Sequence, residues 1–327
     1  KLQSGEIDIL IGTHAILEDN VIFKNLGLVI TDEQHRFGVR QRSTIAGKGN
    51  NPDVLVMTAT PIPRTLALIL YGDLDISIID ELPPNRKKIE TYAVTKSMTE
   101  RVNNFIKKQI NEGRQAYIVC PLVEENEEIN ANSVIELAEE YKNNIFKDYK
   151  VEYIHGKMKP KEKDEIMQKF KDGQIDILIS TTVIEVGVNV PNSSIMVVEN
   201  AERFGLAQLH QLRGRVGRGD YQSYCILKYN GGSDVIRQRM KIMQDTNNGF
   251  IIAEKDLELR GSGEFFGTKQ HGLPEFKIAN LFEDMPILQS VQSIANEIIS
   301  EDPNLSMEKN VKLRKIVDSK FGERVEI

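Results

Sequence analysis

The chain has 327 residues, of which 40% are hydrophobic and 28% charged, and these values are typical of a soluble protein with two or three domains. No apolar run is long enough for a transmembrane helix, so we expect no membrane partner. The net charge of −6 excludes a uniformly basic nucleic-acid coat but allows local basic clefts.

Residues 1–85 predict the carboxyl-terminal part of an α/β domain. Strands are expected at Ile7–Ile11, Gly27–Thr31 and Val54–Met57, and a helix at Arg64–Tyr71. The polar, proline-rich segment 83–86 predicts a linker. The sequence does not begin with methionine and contains no Gly-x-x-x-x-Gly-Lys-Ser/Thr segment. We therefore expect a fragment whose first domain is truncated and lacks the phosphate cradle of a P-loop motor.

Residues 86–230 predict a second α/β domain. Its strands alternate with helices, which indicates a parallel sheet with right-handed crossovers. The predicted strands are Lys88–Val94, Ala116–Val123, Val151–Ile154, Asp176–Ser180 and Ile195–Glu199. The predicted helices are Met98–Asn111, Ser133–Tyr141 and Lys161–Lys171, and the acidic stretch Glu124–Asn132 is expected to be a mobile loop.

The chain has two cysteines, Cys120 and Cys225, and each lies in an apolar run without a second Cys or His at metal-ligand spacing. We therefore expect core packing rather than a disulfide or a metal site. This use of cysteine is typical of a reducing cytoplasm.

The two predicted domains repeat one pattern. Segment 5–13 matches segment 173–181, and segment 32–38 matches segment 199–205. The offsets are 168 (173 − 5) and 167 (199 − 32), so chance similarity between apolar strands does not explain both matches. We expect two copies of one parallel-sheet unit.

Two adjacent acids, Asp32 and Glu33, directly follow the predicted strand Gly27–Thr31. Ligands of open α/β sheets bind at the carboxyl ends of strands. The pair suits nucleotide hydrolysis, in which Asp32 would hold Mg²⁺ directly or through water and Glu33 would deprotonate the attacking water. The alternative is a solvated turn, because acids are common after strands.

Hydroxyl residues follow three further predicted strands. Thr58 and Thr60 could bond to carboxylates at the neighbouring strand end and so transmit a change in nucleotide state. Thr13 and His14 follow the first copy of the repeated strand, and Thr181 and Thr182 follow the second. Hydroxyls and backbone N–H groups at such ends can hold nucleic-acid phosphates without reading the base sequence.

Gln211, Arg215 and Arg218 are spaced i, i+4 and i+7, which predicts one face of a helix. Gly214 and Gly217 would lie inside that helix, where each costs about 1 kcal/mol relative to alanine. A chain tolerates this cost where a ligand comes close. The guanidinium groups could then clasp a γ-phosphate and stabilise the transferred charge. The alternative is a solvated stripe of surface charge.

These segments, in this order, resemble the motifs of superfamily 2 helicases. The Walker B segment is similar to Asp32–His35, the coupling motif to Thr58–Thr60, the fifth motif to Thr181–Pro191 and the sixth to Gln211–Arg218. The resemblance implies an α/β fold with tandem RecA-like parallel-sheet domains, and ATP and Mg²⁺ as cofactors. Asn189 replaces the more usual Asp, which leaves its contact with the ribose open.

The resemblance also implies roles for individual residues. The implied catalytic residues are Asp32, Glu33, Gln211, Arg215 and Arg218, and Asp32 is also the Mg²⁺ ligand. The implied nucleotide contacts are Asp32, His35, Gly187, Asn189, Arg215 and Arg218. The implied DNA contacts are Thr13, His14, Thr181 and Thr182.

Residues 249–272 resemble the translocation motif shared by the RecG family and the transcription-repair coupling factor, and residues 73–84 and 267–274 are similar to the RecG family alone. The resemblance implies that residues 231–327 form a third region. It would hold a helical hairpin (234–244 and 253–259), a coupling loop with Arg260 and Gln270 as its polar residues, and C-terminal helices at 281–300 and 307–317. Thr58 and Thr60 would belong to the same coupling path.

The expected function is therefore the motor portion of an ATP-dependent translocase of the bacterial cytoplasm. It would act on duplex and branched DNA, remodelling replication forks and Holliday junctions in recombination and repair, with little ATPase activity in this chain alone. Protein partners are not indicated. Two alternatives stay open, the motor half of a transcription-repair coupling factor and a non-enzymatic DNA-binding module.

Overall fold

A computed structural model describes residues 1–33, 47–61, 75–81, 83, 86–121, 127–181, 190–265 and 284–321. The chain divides into two compact units. Unit 1 comprises residues 1–63 and 78–259, and unit 2 comprises residues 64–77 and 260–327. This division differs from the three regions expected from the sequence, and the boundaries of those regions stay a prediction.

The first lobe of unit 1 contains two parallel strands, β1 (Leu28–Thr31) and β2 (Asp53–Val56), paired in register from Leu28–Asp53 to Thr31–Val56. The strand predicted at Ile7–Ile11 does not form. Ile9 and Ile11 are 79% and 91% exposed, and no described strand is hydrogen-bonded to this segment. An apolar run becomes a strand only when a neighbour pairs with its backbone. The helix predicted at Arg64–Tyr71 lies outside the described residues.

The second lobe of unit 1 is a six-stranded parallel sheet, which confirms the α/β fold class. Its strands are β3 (Glu90–Thr95), β4 (Gln115–Val119), β5 (Val151–Ile154), β6 (Ile177–Ser180), β7 (Ser193–Val198) and β8 (Tyr224–Tyr229). Their spatial order is β3-β8-β7-β4-β6-β5. Every residue of β4, β6 and β7 is buried, because helices cover both faces of the sheet.

Helices pack on both faces of this sheet. They are α1 (Thr99–Asn111), α2 (Glu127–Glu140), α3 (Pro160–Lys171), α4 (Leu206–Arg213), α5 (Asp234–Asp245) and α6 (Gly249–Phe265). One face is covered by α1 and α2 and the other by α3, α4 and α5. On α1 the buried residues Val102, Ile106 and Ile110 recur every four positions, so one stripe of the helix meets the sheet.

Residues 127–132 of the acidic stretch Glu124–Asn132 are not the mobile loop expected from their charge. Residues 127–132 form the first turns of α2, and a π-helical turn at Tyr141–Ile145 follows that helix. Glutamate is a good helix former, and acids in a first turn interact favourably with the helix dipole. Residues 124–126 lie outside the description.

Unit 2 contains α7 (Met285–Glu301) and α8 (Val311–Phe321), near the two C-terminal helices expected from the sequence. Asp302 organises the connection between them. Its carboxylate accepts hydrogen bonds from the N–H groups of Ser306 and Met307, the Ser306 hydroxyl and the Asn310 amide, at 2.7–3.0 Å. No helix in the described ranges is long and apolar enough to cross a membrane.

Candidate functional site

Asp32 and Glu33 lie immediately beyond the carboxyl end of β1, as predicted. Asp32 is exposed, and its Oδ1 accepts the backbone N–H of Glu33 at 2.8 Å. Glu33 has a φ of +53°, in the left-handed region. This conformation costs about 1–2 kcal/mol in a residue with an ordinary side chain. The predicted base is therefore held in a strained backbone, a property that concentrates at functional sites.

The internal repeat extends to this backbone conformation. Asn200 stands after β7 where Glu33 stands after β1, and its φ is +47°. Likewise Gly5 and Gly173, matched in the other repeated segment, have φ values of +78° and +72°. Asparagine adopts the left-handed region at a lower cost than glutamate, so only the first copy has a strained acid at this position.

In the second copy, a lysine side chain lies where Mg²⁺ is expected in the first copy. Glu199 occupies the place of Asp32, and its Oε1 accepts hydrogen bonds from Lys228 Nζ at 2.5 Å and from the Tyr141 hydroxyl at 3.1 Å. The Lys228 and Glu199 side chains are 9% and 16% exposed. Burial and then the nearby Glu199 raise the pKa of Tyr141, which stays protonated. A lysine ammonium thus balances this carboxylate, and Asp32 is the better candidate for Mg²⁺.

The donor set at Asp32 fits Mg²⁺ held largely by water and phosphate. Its exposed carboxylate is a hard oxygen ligand, and no cluster of three or more His, Cys, Asp or Glu side chains exists among the described residues. Mg²⁺ ordinarily uses one or two carboxylates together with substrate phosphates and water rather than a full protein cage.

A hydrogen bond joins two of the predicted motifs. The Gln211 side chain, on α4, donates from Nε2 to Oγ1 of Thr60 at 2.6 Å. The backbone N–H of Thr60 in turn donates to Oγ1 of Thr58 at 3.2 Å. Thr58 and Thr60 follow β2 of the first lobe, so the coupling segment and the sixth-motif helix are in direct contact.

The predicted helical face of Gln211, Arg215 and Arg218 is wrong, because α4 ends at Arg213. Gly214 caps the helix, and Gly217 has a φ of +77°. A Cβ at Gly217 would also lie 3.0 Å from Cγ1 of Ile89. The glycines therefore terminate the helix and turn the chain. Arg215 is half-buried and Arg218 is exposed, both on that turn, and their phosphate-binding roles stay predictions.

Arg213, which no sequence pattern singled out, is 2% exposed. Its Nη1 donates to Oγ1 of Thr91 at 3.2 Å and to the carbonyls of Met243 and Thr246 at 2.8 and 2.9 Å. It therefore ties α4 to β3 and to the carboxyl end of α5. In the sequence Arg213 is one of three arginines within six residues, and nothing in the spacing distinguishes it from Arg215, which is half-buried, or Arg218, which is exposed.

His210, also on α4, lies beside Arg213. Burial, followed by the charges of Arg213 and Arg86, lowers its pKa to about 4, so the ring is neutral at pH 7. Its Nδ1 lies 3.0 Å from Nη2 of Arg213, which can only donate, so Nδ1 accepts and Nε2 carries the proton. A Cβ at Gly249, the first residue of α6, would lie 2.7 Å from His210 Nε2 and 2.5 Å from Cγ of Pro61. Glycine therefore allows α6 to begin against both lobes.

The predicted DNA contacts are described in part. Thr13 is exposed and precedes a short helical turn, His14–Leu17. Thr181 follows β6, is 1% exposed, and its Oγ1 has no hydrogen-bond partner in the part of the chain that the structure describes. The side chains of His14 and Arg260 lie outside the description, as do the predicted residues His35, Thr182, Gly187, Asn189 and Gln270.

Comparison with known families gives three matches along the chain. Residues 1–69 match the DEAD/DEAH box helicase family, residues 79–220 the helicase conserved C-terminal domain, and residues 246–321 the C-terminal part of domain 3 of the ATP-dependent DNA helicase RecG.

Curated relatives cover almost the whole chain. The ATP-dependent DNA helicase RecG of Bacillus subtilis is 52% identical over 302 residues, which are 92% of this chain and 44% of that protein. The RecG of Thermotoga maritima is 49% identical over 307 residues, 94% of this chain and 39% of that protein. The chain thus spans less than half the length of these relatives.

A solved structure of RecG bound to a three-way DNA junction is 47% identical and superposes with a TM-score of 0.68. It covers 88% of this chain and 37% of that one. A structure of the helicase MrfA bound to DNA and AMPPNP is 17% identical, with a TM-score of 0.51, and covers 86% of this chain and 42% of that one. The second match shows a common fold alone.

Proposed function

The chain belongs to the RecG family of DNA helicases, and from this premise we propose that it is the C-terminal part of an ATP-dependent motor that moves on double-stranded DNA. The motor would remodel branched DNA, such as replication forks and Holliday junctions, in the bacterial cytoplasm. The family match over residues 246–321 favours this assignment over a transcription-repair coupling factor.

The observation that carries the proposal is the hydrogen bond from Gln211 to Thr60. It connects the helix that leads into Arg215 and Arg218 with the segment that follows β2, the strand paired with β1, and Asp32 and Glu33 directly follow β1. Closure of the two lobes on a nucleotide would make or strain this bond, so the bond gives hydrolysis a way to move one lobe relative to the other.

The proposed chemistry divides among four side chains. Asp32 would hold Mg²⁺, which when bound neutralises the phosphate oxygens. Glu33 would orient the attacking water and take its proton. Arg215 and Arg218, on the turn after α4, would contact the phosphates and stabilise the charge that develops on the transferred group.

Coupling to DNA would pass through Arg213 and the helices α5 and α6. Arg213 donates to the carbonyls of Met243 and Thr246 at the carboxyl end of α5. Gly249 allows the start of α6 to lie against His210 on α4. A displacement of α4 would therefore move both helices as one body. Arg260 and Gln270, which follow in the chain, would carry that movement to the duplex.

Branched DNA is the proposed substrate. Of the two solved structures compared with this chain, the one that covers more of it is RecG bound to a three-way DNA junction. The 327 residues contain no P-loop segment. We therefore propose that the chain alone binds duplex DNA but turns over little ATP, because the phosphates lack their backbone cradle.

A direct test is to measure ATP turnover of the 327-residue chain and of a full-length family member with Mg-ATP and forked DNA. We expect DNA binding by both and turnover at least a hundred-fold lower for the chain. Comparable turnover would refute the proposal that the chain lacks the cradle for the ATP phosphates. Absence of duplex binding by the chain would refute its proposed role in contacting DNA.

A further inference from the structure

We propose that a cavity at the carboxyl ends of β3, β7 and β8 binds a free phosphate group, such as inorganic phosphate. In this cavity Lys96 and Lys228 supply the positive charge, and the first N–H groups of α1 donate hydrogen bonds. None of the residues assigned above to nucleotide or DNA is among those that line it in the described part of the chain. The site therefore goes beyond the proposed motor function and does not rest on it.

The cavity lies where three neighbouring strands end. β8 lies between β3 and β7 in the sheet, and the carboxyl ends of parallel strands form the edge where open α/β sheets bind ligands. The cavity has a volume of about 150 Å³. Pockets for whole drug-sized ligands have volumes of about 300–1,000 Å³, so this cavity suits a phosphate group rather than a complete nucleotide. Its lining includes Lys96, Thr99, Glu199, Asn200, Lys228 and Asn230.

The internal repeat relates this cavity to the surroundings of Asp32 in the first copy. Glu199 corresponds to Asp32, and β8 is paired with β7 as β2 is paired with β1. The last register position of each strand pair is matched between the copies, so Lys228, the next residue of β8, stands where Met57 follows β2. The second copy thus has an ammonium where the first has an apolar side chain. A lysine ammonium can neutralise a phosphate directly, without a metal.

Lys228 is fixed in place but keeps hydrogen-bond donors for a ligand. Its side chain is 9% exposed, and its Nζ donates to Oε1 of Glu199 at 2.5 Å. An ammonium has three N–H donors, and among the described residues Glu199 is the one acceptor for Nζ. The Tyr141 hydroxyl donates to the same carboxylate oxygen at 3.1 Å and so helps to hold it. The remaining N–H groups of Lys228 can therefore donate to phosphate oxygens.

The start of α1 supplies further donors. The helix has 13 residues, and its N-cap residue, Met98, makes no side-chain hydrogen bond to it. The Thr99 hydroxyl donates to the carbonyl of Lys96 at 2.8 Å and does not cap the helix. The N–H groups of a first helical turn, here those of Glu100 and Arg101, have no acceptor within the helix. Such groups, together with the helix dipole, bind phosphate.

The lining of the cavity carries more positive than negative charge. Its charged side chains are those of Lys96, Lys228 and Glu199, of which one is an acid. Lys96 is exposed, so its flexible side chain can turn toward a bound anion. The nearby acid Glu202 is engaged by Asn230, whose Nδ2 donates to its Oε1 at 2.8 Å. The ion pair of Lys228 and Glu199 requires neither a second lysine nor an uncapped helix, whereas a bound phosphate uses both.

The test is a nuclear magnetic resonance titration of the isotope-labelled 327-residue chain with inorganic phosphate, at an ionic strength kept constant with potassium chloride. We expect saturable shifts of the backbone amide signals of Glu100 and Arg101. Lys96→Gln should weaken phosphate binding about five-fold, because the charge that it removes is exposed to solvent. Lys228→Met combined with Glu199→Gln should weaken it about ten-fold or more, because a charge-assisted hydrogen bond from a buried donor is lost.

Lys108→Gln, an exposed lysine in the last turn of α1, is the matched control and should bind phosphate like the parent. The paired substitution removes the ammonium without leaving an unpaired carboxylate, and urea denaturation checks that each variant is folded. If phosphate causes no saturable shift, or if Lys96→Gln and the paired variant both bind like the control, the proposal is wrong. It is also wrong if ATP or a DNA duplex shifts these signals and inorganic phosphate does not. None of these results changes the proposed motor function, which ATP turnover tests.

Discussion

The amide of Gln211 donates a 2.6 Å hydrogen bond to the hydroxyl of Thr60, a residue 151 positions earlier in the chain. Each partner is half-buried, so the bond is partly protected from competing water. It spans two sequence motifs whose spacing says nothing about their contact. The bond gives the proposed coupling path a defined first step.

We predict that Thr60→Val and Gln211→Ala each lower DNA-stimulated ATP turnover of a full-length family member about ten-fold, because the lobes lose a contact that orders them for hydrolysis. In a double-mutant cycle the two effects should couple by about 1 kcal/mol, the net value of one hydrogen bond. Gln168→Ala, an exposed glutamine on α3, is the control and should leave turnover unchanged. Strictly additive effects would show that the bond plays no part in coupling.

The strained backbone at Glu33 leads to a second prediction. Glu33→Gly should raise the free energy of unfolding by about 1 kcal/mol, since glycine adopts a φ of +53° without strain. The same substitution should lower ATP turnover of the full-length protein at least a hundred-fold, because the proposed catalytic base is lost. Urea denaturation and an ATPase assay measure the two quantities.

Asn200→Gly is the matched control for that variant, because Asn200 has nearly the same φ, +47°, after the equivalent strand. Asparagine already tolerates this conformation, so we expect a change in stability of only a few tenths of a kcal/mol. If the Glu33→Gly protein is less stable than the parent, the Glu33 side chain stabilises the fold by more than its backbone strain costs, and the prediction is wrong.

Much of the fold could be predicted from sequence because parallel strands are apolar along their whole length and recur between helices. The strand Val151–Ile154 has the predicted bounds, and the others differ by a few residues. The segment Ile7–Ile11 was mispredicted because strand formation depends on a pairing partner, and no local pattern encodes one. The repeat extends from sequence to backbone conformation, since the matched residues Glu33 and Asn200 both have left-handed φ values.

The position of Asp32 directly after β1 was predictable, because acids that follow a buried apolar run lie at the carboxyl end of a strand, and its role in binding Mg²⁺ stays a prediction. The candidate site was not predictable where the end of a helix decides the geometry. Helical spacing grouped Arg215 and Arg218 with Gln211, but Gly214 and Gly217 turn the chain away from the helix axis. The sequence patterns did not single out Arg213, because the burial that sets it apart from Arg215 and Arg218 is a property of the tertiary structure.

We predict that Arg213→Lys lowers the free energy of unfolding by about 3 kcal/mol, because a lysine cannot reach Thr91 and the carbonyls of Met243 and Thr246 together. Arg237→Lys, at an exposed arginine of α5, should change stability by less than about 0.5 kcal/mol. Urea denaturation of the 327-residue chain measures both. Equal effects would mean that Arg213 contributes only its charge.

The ion pair in the second repeat gives a further prediction. Lys228→Met should destabilise the chain by about 3 kcal/mol, because among the described residues it leaves the largely buried Glu199 carboxylate with the Tyr141 hydroxyl as its remaining side-chain partner. Adding Glu199→Gln should recover most of that loss, since the unpaired charge is removed. Failure of the second substitution to restore stability would indicate that Lys228 acts through packing.

The last prediction concerns pH and unit 2. Burial tends to raise the pKa of Asp302, but hydrogen bonds from Asn310, Met307 and Ser306 outweigh it and lower the pKa to about 2. Because the folded pKa lies below the unfolded value of about 3.9, the carboxylate stabilises the fold fully above pH 4 and progressively less as the pH falls toward 2. The difference in urea midpoint between the parent and Asp302→Asn should therefore be constant above pH 5 and shrink below pH 4. Asp318 is exposed, and its Oδ2 lies 3.8 Å from Nε of Arg314. The urea midpoint of Asp318→Asn should therefore differ almost not at all from that of the parent at any pH. A difference that stays constant down to pH 2 would show that the hydrogen bonds do not depend on the charge of Asp302.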